Sequence, residues 1–206
     1  MSTDKRNSAI FINGGAGRVI ASIPALEKFQ EENPDDDFVI VCEGGTDFFK
    51  GHQSLYARVY DHWHKGLFQD KLKERELITP EPYRVWEYYN QKCSIAQAYD
   101  IAINNKGLRK LQKPRIRLNK EEMIFGKKLV DEVREKTKKD KVIVFQPYGR
   151  TTHHENGMIS DYSGRSFEAE NAVNLVKKLS KKFGVIHMAE FGICLLYTSD
   201  AADDGI

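Results

Sequence analysis

The 206-residue sequence is poor in cysteine: Cys42, Cys93 and Cys194 lie far apart and form no C-x-x-C pair. That spacing excludes a disulfide framework and a ribbon-type zinc site, and it fits a reducing, cytoplasmic compartment. No apolar run approaches the ~20 residues that a membrane-spanning helix needs. The opening segment, MSTDKRNSAIFIN, lacks the apolar core and small-residue cleavage site of a secretory leader. Charge of one sign is missing too. The 32 Lys and Arg against 30 Asp and Glu leave a formal +2, too little to imply a nucleic-acid partner. There is no repeat of solenoid period and no low-complexity tract. What is present is an ordinary globular composition, 40% hydrophobic and 30% charged, at a length suited to one or two domains.

The final stretch differs from the rest. CLLYTSDAADDGI, residues 194–206, has no Lys or Arg although it follows a lysine-rich region. Over Cys194–Asp203 it resembles the translation of a sequencing-library transposon adapter. Ile193 is therefore taken as about the last residue of the natural protein, and the tail is left out of the fold reasoning. The alternative is an apolar strand at Leu195–Tyr197 followed by a loop. Without Asp200, Asp203 and Asp204 the formal charge rises to about +5.

Ala9–Asn13 is a short apolar run that enters Gly14-Gly15-Ala16-Gly17. Val19, Ile20, Ile23, Leu26 and Phe29 then recur at helical spacing and predict an amphipathic helix to about Glu32. Pro24 is tolerated there as a residue of the first turns. Asn33-Pro34-Asp35-Asp36-Asp37 ends the helix, and Phe38–Cys42 is a nearly continuous apolar run, as in strands buried on both faces of a parallel sheet. Together these make a βαβ unit. A turn at Glu43-Gly44-Gly45 leads to a short helix and a strand near Arg58–His62. Residues 64–92 read as irregular, Ser94–Ile103 as helix and Lys106–Arg117 as a basic connection. Asn119 and Glu122 form a capping-box-like start to a helix that buries Phe125, Leu129, Val130 and Val133.

A second unit then begins with a strand at Val142–Phe145. Residues 146–165 read as a long structureless loop and Ser166–Phe183 as a helix with an inner stripe of Ala172, Val173, Val176, Leu179 and Phe183. Gly184 is placed as a helix-terminating glycine, and Val185–Met188 begins the next strand. The expected fold class is α/β, with two Rossmann-like lobes of which the second is incomplete. The first lobe covers 1–118, a connecting helix 119–140, and the start of the second lobe 141–193; the adapter-like tail covers 194–206. Two strands and one helix do not bury a core of their own, so the second lobe should be unstable alone, and this stretch of chain is expected to be inactive by itself.

Gly15-Ala16-Gly17-Arg18-Val19-Ile20 fits the dinucleotide pattern G-x-G-x-x-G/A only in part. Its third small residue is replaced by Ile20, and Glu43, the acid after the second strand, comes late. An NAD(P)- or other nucleotide-binding module is one reading, and a ligand-free tight turn is another. GGAGRVIASIPALEKFQEENPDDDFVIVCEGG offers a third, because it resembles the N-terminal lobe of GT-B glycosyltransferases of the heptosyltransferase-like (ADP-heptose transferase-like) kind. Residues 17–26, GRVIASIPAL, carry that resemblance. It implies an acceptor-side loop at Asn13, Gly14, Gly15, Gly17 and Arg18. It also implies a nucleotide-sugar donor as substrate, with no metal and no other cofactor. Where the family has an Asp that acts as catalytic base, this chain has Arg18. The catalytic residue is therefore unassigned, and a non-catalytic glycan- or nucleotide-binding descendant of the fold is an alternative.

FQPYGRTTHHENGMISDYSGRSFEAENAVNLVKKL resembles the start of the same family's donor-binding lobe. The D-x-S-x-R-S loop formed by Asp161, Ser163, Arg165 and Ser166, together with YYNQK, also resembles glycosyltransferase-like proteins encoded by marine phages. The implied donor-phosphate site is Tyr148, Gly149, Arg150, Ser163, Gly164, Arg165 and Ser166. Elementary chemistry points the same way. A loop leaving the C-terminal end of a strand and entering a helix N-terminus suits an anion, and Arg150 and Arg165 can grip phosphate bidentately. The plain alternative is that Ser166 is an N-cap and the arginines are solvated. The expected partners are a nucleotide-sugar donor and a glycan or lipid-linked acceptor, with no nucleic acid.

Other signals are weaker. His62 and His64 share one strand face but lack a third ligand at metal spacing. His153 and His154 lie in the long loop, where a solvated role competes with ligand contact. Cys42 reads as a small core residue. Lys177, Lys178, Lys181 and Lys182 read as a solvated helix face, with peripheral contact to an anionic membrane as the alternative. Tyr83, Trp86, Tyr88 and Tyr89 read as packing residues, with stacking on a sugar or base as the alternative.

Overall fold

The computed structural model describes residues 7–149, 151–155 and 158–188. The chain divides into two compact units, Met1–Lys120 and Glu121–Ile206. The first is a Rossmann-like α/β layer. Strand β1 (Ser8–Ile12) leads through helix α1 (Ala16–Glu32) to β2 (Val39–Cys42), β3 (Val59–Asp61) and β4 (Glu76–Ile78). All pairings are parallel, in the order β3-β2-β1-β4, with Ile12 opposite Cys42, Ile40 opposite Val59 and Ile10 opposite Ile78. The expected first βαβ unit is present with its helix ending at Glu32. Strand β4 falls in the stretch that the sequence leaves irregular, and it is the strand that puts β1 inside the sheet.

Short elements follow: α2 (Trp86–Tyr89) and α3 (Ile95–Asn104). Helix α3 starts from a capping box in which Ser94 and Gln97 satisfy each other's backbone amides. It packs on α1, and Tyr99 and Ile103 join Ile10, Ile12, Val19, Ile23, Leu26, Phe29 and Ile40 in one core. Pro24 is not in the first turns of α1 but in the middle of its 17 residues. It deprives the Ile20 carbonyl of its helical donor and lies on the buried face. Buried Asp100 in the middle of α3 accepts from the Arg109 guanidinium, and Arg109 also pairs with Glu32. That clasp ties the basic connection to both helices.

The second unit opens with α4 (Lys120–Thr137) and β5 (Val142–Phe145). The residues expected to be structureless instead contain an antiparallel hairpin, β6 (His153–Glu155) and β7 (Met158–Ser160), with His153 opposite Ser160. Helix α5 (Ala169–Ser180) then leads to β8 (Gly184–His187), which pairs in parallel with β5. Three expectations need correction here. Helix α4 exists, but none of its residues is buried, and Phe125 is 69% exposed. Helix α5 starts three residues later than Ser166, with Glu168 at its N-cap. Gly184 does not terminate a helix through a positive φ; it opens β8 at a place with no room for a side chain. A Cβ there would stand 2.6 Å from Val133 Cγ1 of α4. Arg150 and residues 189–206, which include the adapter-like tail, lie outside the described residues.

Candidate functional site

A parallel sheet with this order has its connections diverge at β1 and β4, and such sheets hold ligands outside the C-terminal strand ends at that point. The glycine turn after β1 sits there. Gly14 has φ of +90°, a conformation that favours glycine. Its amide donates to Glu43 Oε2 at 2.6 Å. A Cβ on Gly14 would fall 2.7 Å from Arg18 Cδ, so the space that glycine opens is filled by the Arg18 stem. Gly15 caps α1 without a side-chain hydrogen bond, and no acid stands in the first turn. Added methyl groups at Gly15 and Gly17 would meet open space.

Arg18 is committed within the protein. Its Nε donates to the Tyr99 hydroxyl at 2.9 Å, its Nη2 lies 3.2 Å from Glu81 Oε1, and its guanidinium stands 5.1 Å from the Tyr83 ring centre. Burial opposes its charge, but the bonds to Tyr99 and Glu81 prevail and raise its pKa further. The pair thus ties the turn after β1 to the loop after β4. Tyr83 takes a packing role in this clasp.

Between these elements lies an open cleft of about 260 Å³, lined by Phe11, Ile12, Asn13, Val41, Glu43, His62 and Thr79. Each of the four strands contributes to it at or just beyond its C-terminal end. The lining holds one carboxylate and no Lys or Arg. His62 follows β3, and its Nδ1 is buried without a hydrogen bond, 3.5 Å from Asp61 Oδ1. His62 and His64 both follow the strand rather than sharing its face. His64 packs on Tyr60, with ring centres 5.2 Å apart. Among the described residues no group of three side chains is arranged to hold a metal. Cys42 is fully buried, and desolvation, helped by Asp61, pushes its thiol up to about 12. That makes it a core residue rather than a nucleophile.

In the second unit two of the expected phosphate ligands, Ser163 and Ser166, donate to the Asp161 carboxylate. Ser166 Oγ donates to Asp161 Oδ2 at 2.6 Å and accepts from the Gly149 amide at 2.9 Å. Ser163 donates to Asp161 Oδ1 through both its amide (2.9 Å) and its hydroxyl (2.7 Å), and Thr151 adds another hydroxyl at 2.9 Å. These donors hold the Asp161 carboxyl well below the usual carboxylate range, Ser166 most strongly. Both serine hydroxyls are therefore spent on loop structure. Tyr148 is buried beside Ala172, Phe145 and Ile159. Gly164 has φ of +65° with open space around it, and Arg165 is exposed next to it. Glu168 at the cap of α5 and Glu170 in its first turn already complement that helix end.

The residues that sequence reasoning did not bring to the first site are Glu81, Thr79, Tyr99 and His62. The first two follow a strand too short to show alternation. Tyr99 looks like any apolar-face residue of its helix. His62 was visible only as half of a histidine pair. Comparison of the chain with known protein families, with curated proteins and with solved structures finds no match.

Proposed function

We propose that this chain is a glycosyltransferase-like protein that moves a sugar from a nucleotide-sugar donor to a hydroxyl acceptor. The acceptor enters the cleft at the end of the first sheet. The donor diphosphate meets Arg165 and the backbone around Gly164 in the second unit. One observation carries the reading: at Gly14, the first residue of the glycine turn, the amide and the space above it are already in use. The Gly14 amide faces the Glu43 carboxylate, and the space over Gly14 holds Arg18. A pyrophosphate there would meet a carboxylate at hydrogen-bonding range, whereas an alcohol finds acceptors for its proton. Glu43 is the cleft carboxylate and takes the role of base toward the acceptor hydroxyl. Within the second unit, Arg165 is exposed and supplies a positive charge suited to a nucleotide diphosphate. No step calls for a metal or another cofactor.

The test is transfer or hydrolysis of radiolabelled ADP-, UDP- and GDP-sugars by the protein at its natural length, with NAD(P) binding as the contrast. Turnover of at least one donor, lowered at least 100-fold in kcat by Glu43→Gln, is the expected result. Tight NAD(P) binding abolished by Gly15→Val and Gly17→Val would replace this reading with the oxidoreductase one. The Arg18 clasp favours a second reading, a sugar-nucleotide binder without turnover. Saturable donor binding with no released nucleotide is its signature.

A further inference from the structure

Trp63 is 83% exposed, yet it is held in place. Its amide donates to Asp61 Oδ1 at 2.8 Å, and the next turn closes from the His64 amide to the Asp61 carbonyl at 2.9 Å. Its indole leans on the His62 ring, with centres 4.5 Å apart and planes at 46°. His62 in turn lines the cleft. A large aromatic surface is thus fixed beside a cleft whose lining includes the apolar Phe11, Ile12 and Val41 and the carboxylate of Glu43. An indole left in water forgoes the gain of burying its apolar area, so a surface held this way calls for an occupant.

We infer that this surface holds an uncharged pyranose ring, its C–H face on Trp63 and its hydroxyls directed to Glu43. The chemistry selects against other ligands. A flat apolar segment would desolvate the Glu43 carboxylate and bring no hydroxyl to it. A phosphorylated sugar or an anionic lipid surface would meet Glu43 and Asp61 with no Lys or Arg in the cleft lining to offset them. A hydroxyl-rich neutral ring satisfies both the stacking face and the acceptors. The inference rests on the transferase reading for its place in a reaction, since the ring would be the acceptor, but its binding test is independent of turnover.

The chain has two tryptophans, Trp63 and Trp86, so Trp86→Phe leaves Trp63 as the single indole reporter. Titrating that variant with methyl glucoside, methyl mannoside, methyl galactoside, maltose and cellobiose should give saturable quenching with at least one of them. Calorimetry with the same saccharide should show at least a tenfold loss of affinity in Trp63→Ala, whose melting temperature should match the parent because the side chain is exposed. The 6-phosphate of the sugar should bind at least tenfold more weakly than the neutral form. Equal affinity of Trp63→Ala and parent, preference for the phosphorylated sugar, or quenching by adenosine and uridine but by no saccharide would overturn the inference. Donor turnover with KM for the acceptor unchanged in Trp63→Ala would refute this subsite and leave the transferase standing. Saccharide binding that depends on Trp63, without any donor turnover, would do the reverse.

Discussion

The two units use similar elements to very different effect. In the first, α1 and α3 close over parallel strands, and Ile10, Ile23, Leu26, Ile40, Phe49, Leu55 and Tyr99 have essentially no exposure. In the second, β5 and β8 also pair in parallel, but the buried apolar cluster is Tyr148 with Ala172, flanked by Phe145 and Ile159. Val144 of β5 is 59% exposed, and α4 shows Ile124 and Phe125 to solvent. The difference lies in how many layers each strand meets. A strand gains apolar burial only from partners on its faces, and β5 has few among the described residues. Stability and site precision should therefore differ between the units.

Large-to-small substitutions break that comparison most sharply. Leu26→Ala empties a fully buried position and should cost about 3 kcal/mol in chemical denaturation. Phe125→Ala removes a larger ring from an exposed helix face and should cost less than about 0.5 kcal/mol. A cost above about 2 kcal/mol at Phe125 would mean that α4 is covered in solution and that the contrast is false.

Glycine positions sharpen it further. Gly184→Ala puts a methyl against Val133 and Thr137 in the second unit, and overpacking of that kind should cost about 2 kcal/mol. Gly17→Ala in α1 meets open space and should be neutral or gain about 0.5 kcal/mol from helix propensity. Thermal melts of the two variants give the comparison directly. Equal effects would remove the assigned close approach of β8 to α4.

How far the sequence foretold these features follows from the range of the forces involved. Helix α1 and strand β2 were legible because local patterns specify them: a 3.6-residue apolar period, then a continuous apolar run. Strand β4 was not. Glu76–Ile78 is three residues long, Leu77 is 57% exposed, and its membership is decided by pairing with Ser8–Ile10. The clasp on Arg18 joins residues 81 and 63 positions away, which no local pattern records. The sequence does carry a hairpin signal, Asn156-Gly157 between the residues of β6 and β7, which the expectation of a structureless 146–165 passed over. The serines of the 161–166 loop were singled out correctly as a cluster, but the cluster's centre is Asp161. A carboxylate and a phosphate attract the same hydroxyl donors, so residue types alone could not tell an internal acceptor from an external one.

That loop supplies the smallest effect and the finest discrimination between the units. Asp161 titrates in the folded chain well below its ordinary range because Ser166, Ser163 and Thr151 donate to its charged form. A depressed carboxylate pKa means that the unfolded chain binds the proton first. Its contribution to stability is fully present above the ordinary Asp value near pH 4 and is lost as pH falls through the lower folded value. The amide resonances of Gly149 and Ser163 should therefore hold their positions through about pH 4 and move only in stronger acid. In Asp161→Asn the charge is gone, so those resonances should start from altered positions and show no such acid transition. The transition should be modest in energy, because solvent reaches the loop. Gly149 and Ser163 resonances that instead titrate with an ordinary midpoint near pH 4 would mean that the hydroxyls are free in solution. They would then be available to an external phosphate, as expected for Ser163 and Ser166 from the sequence.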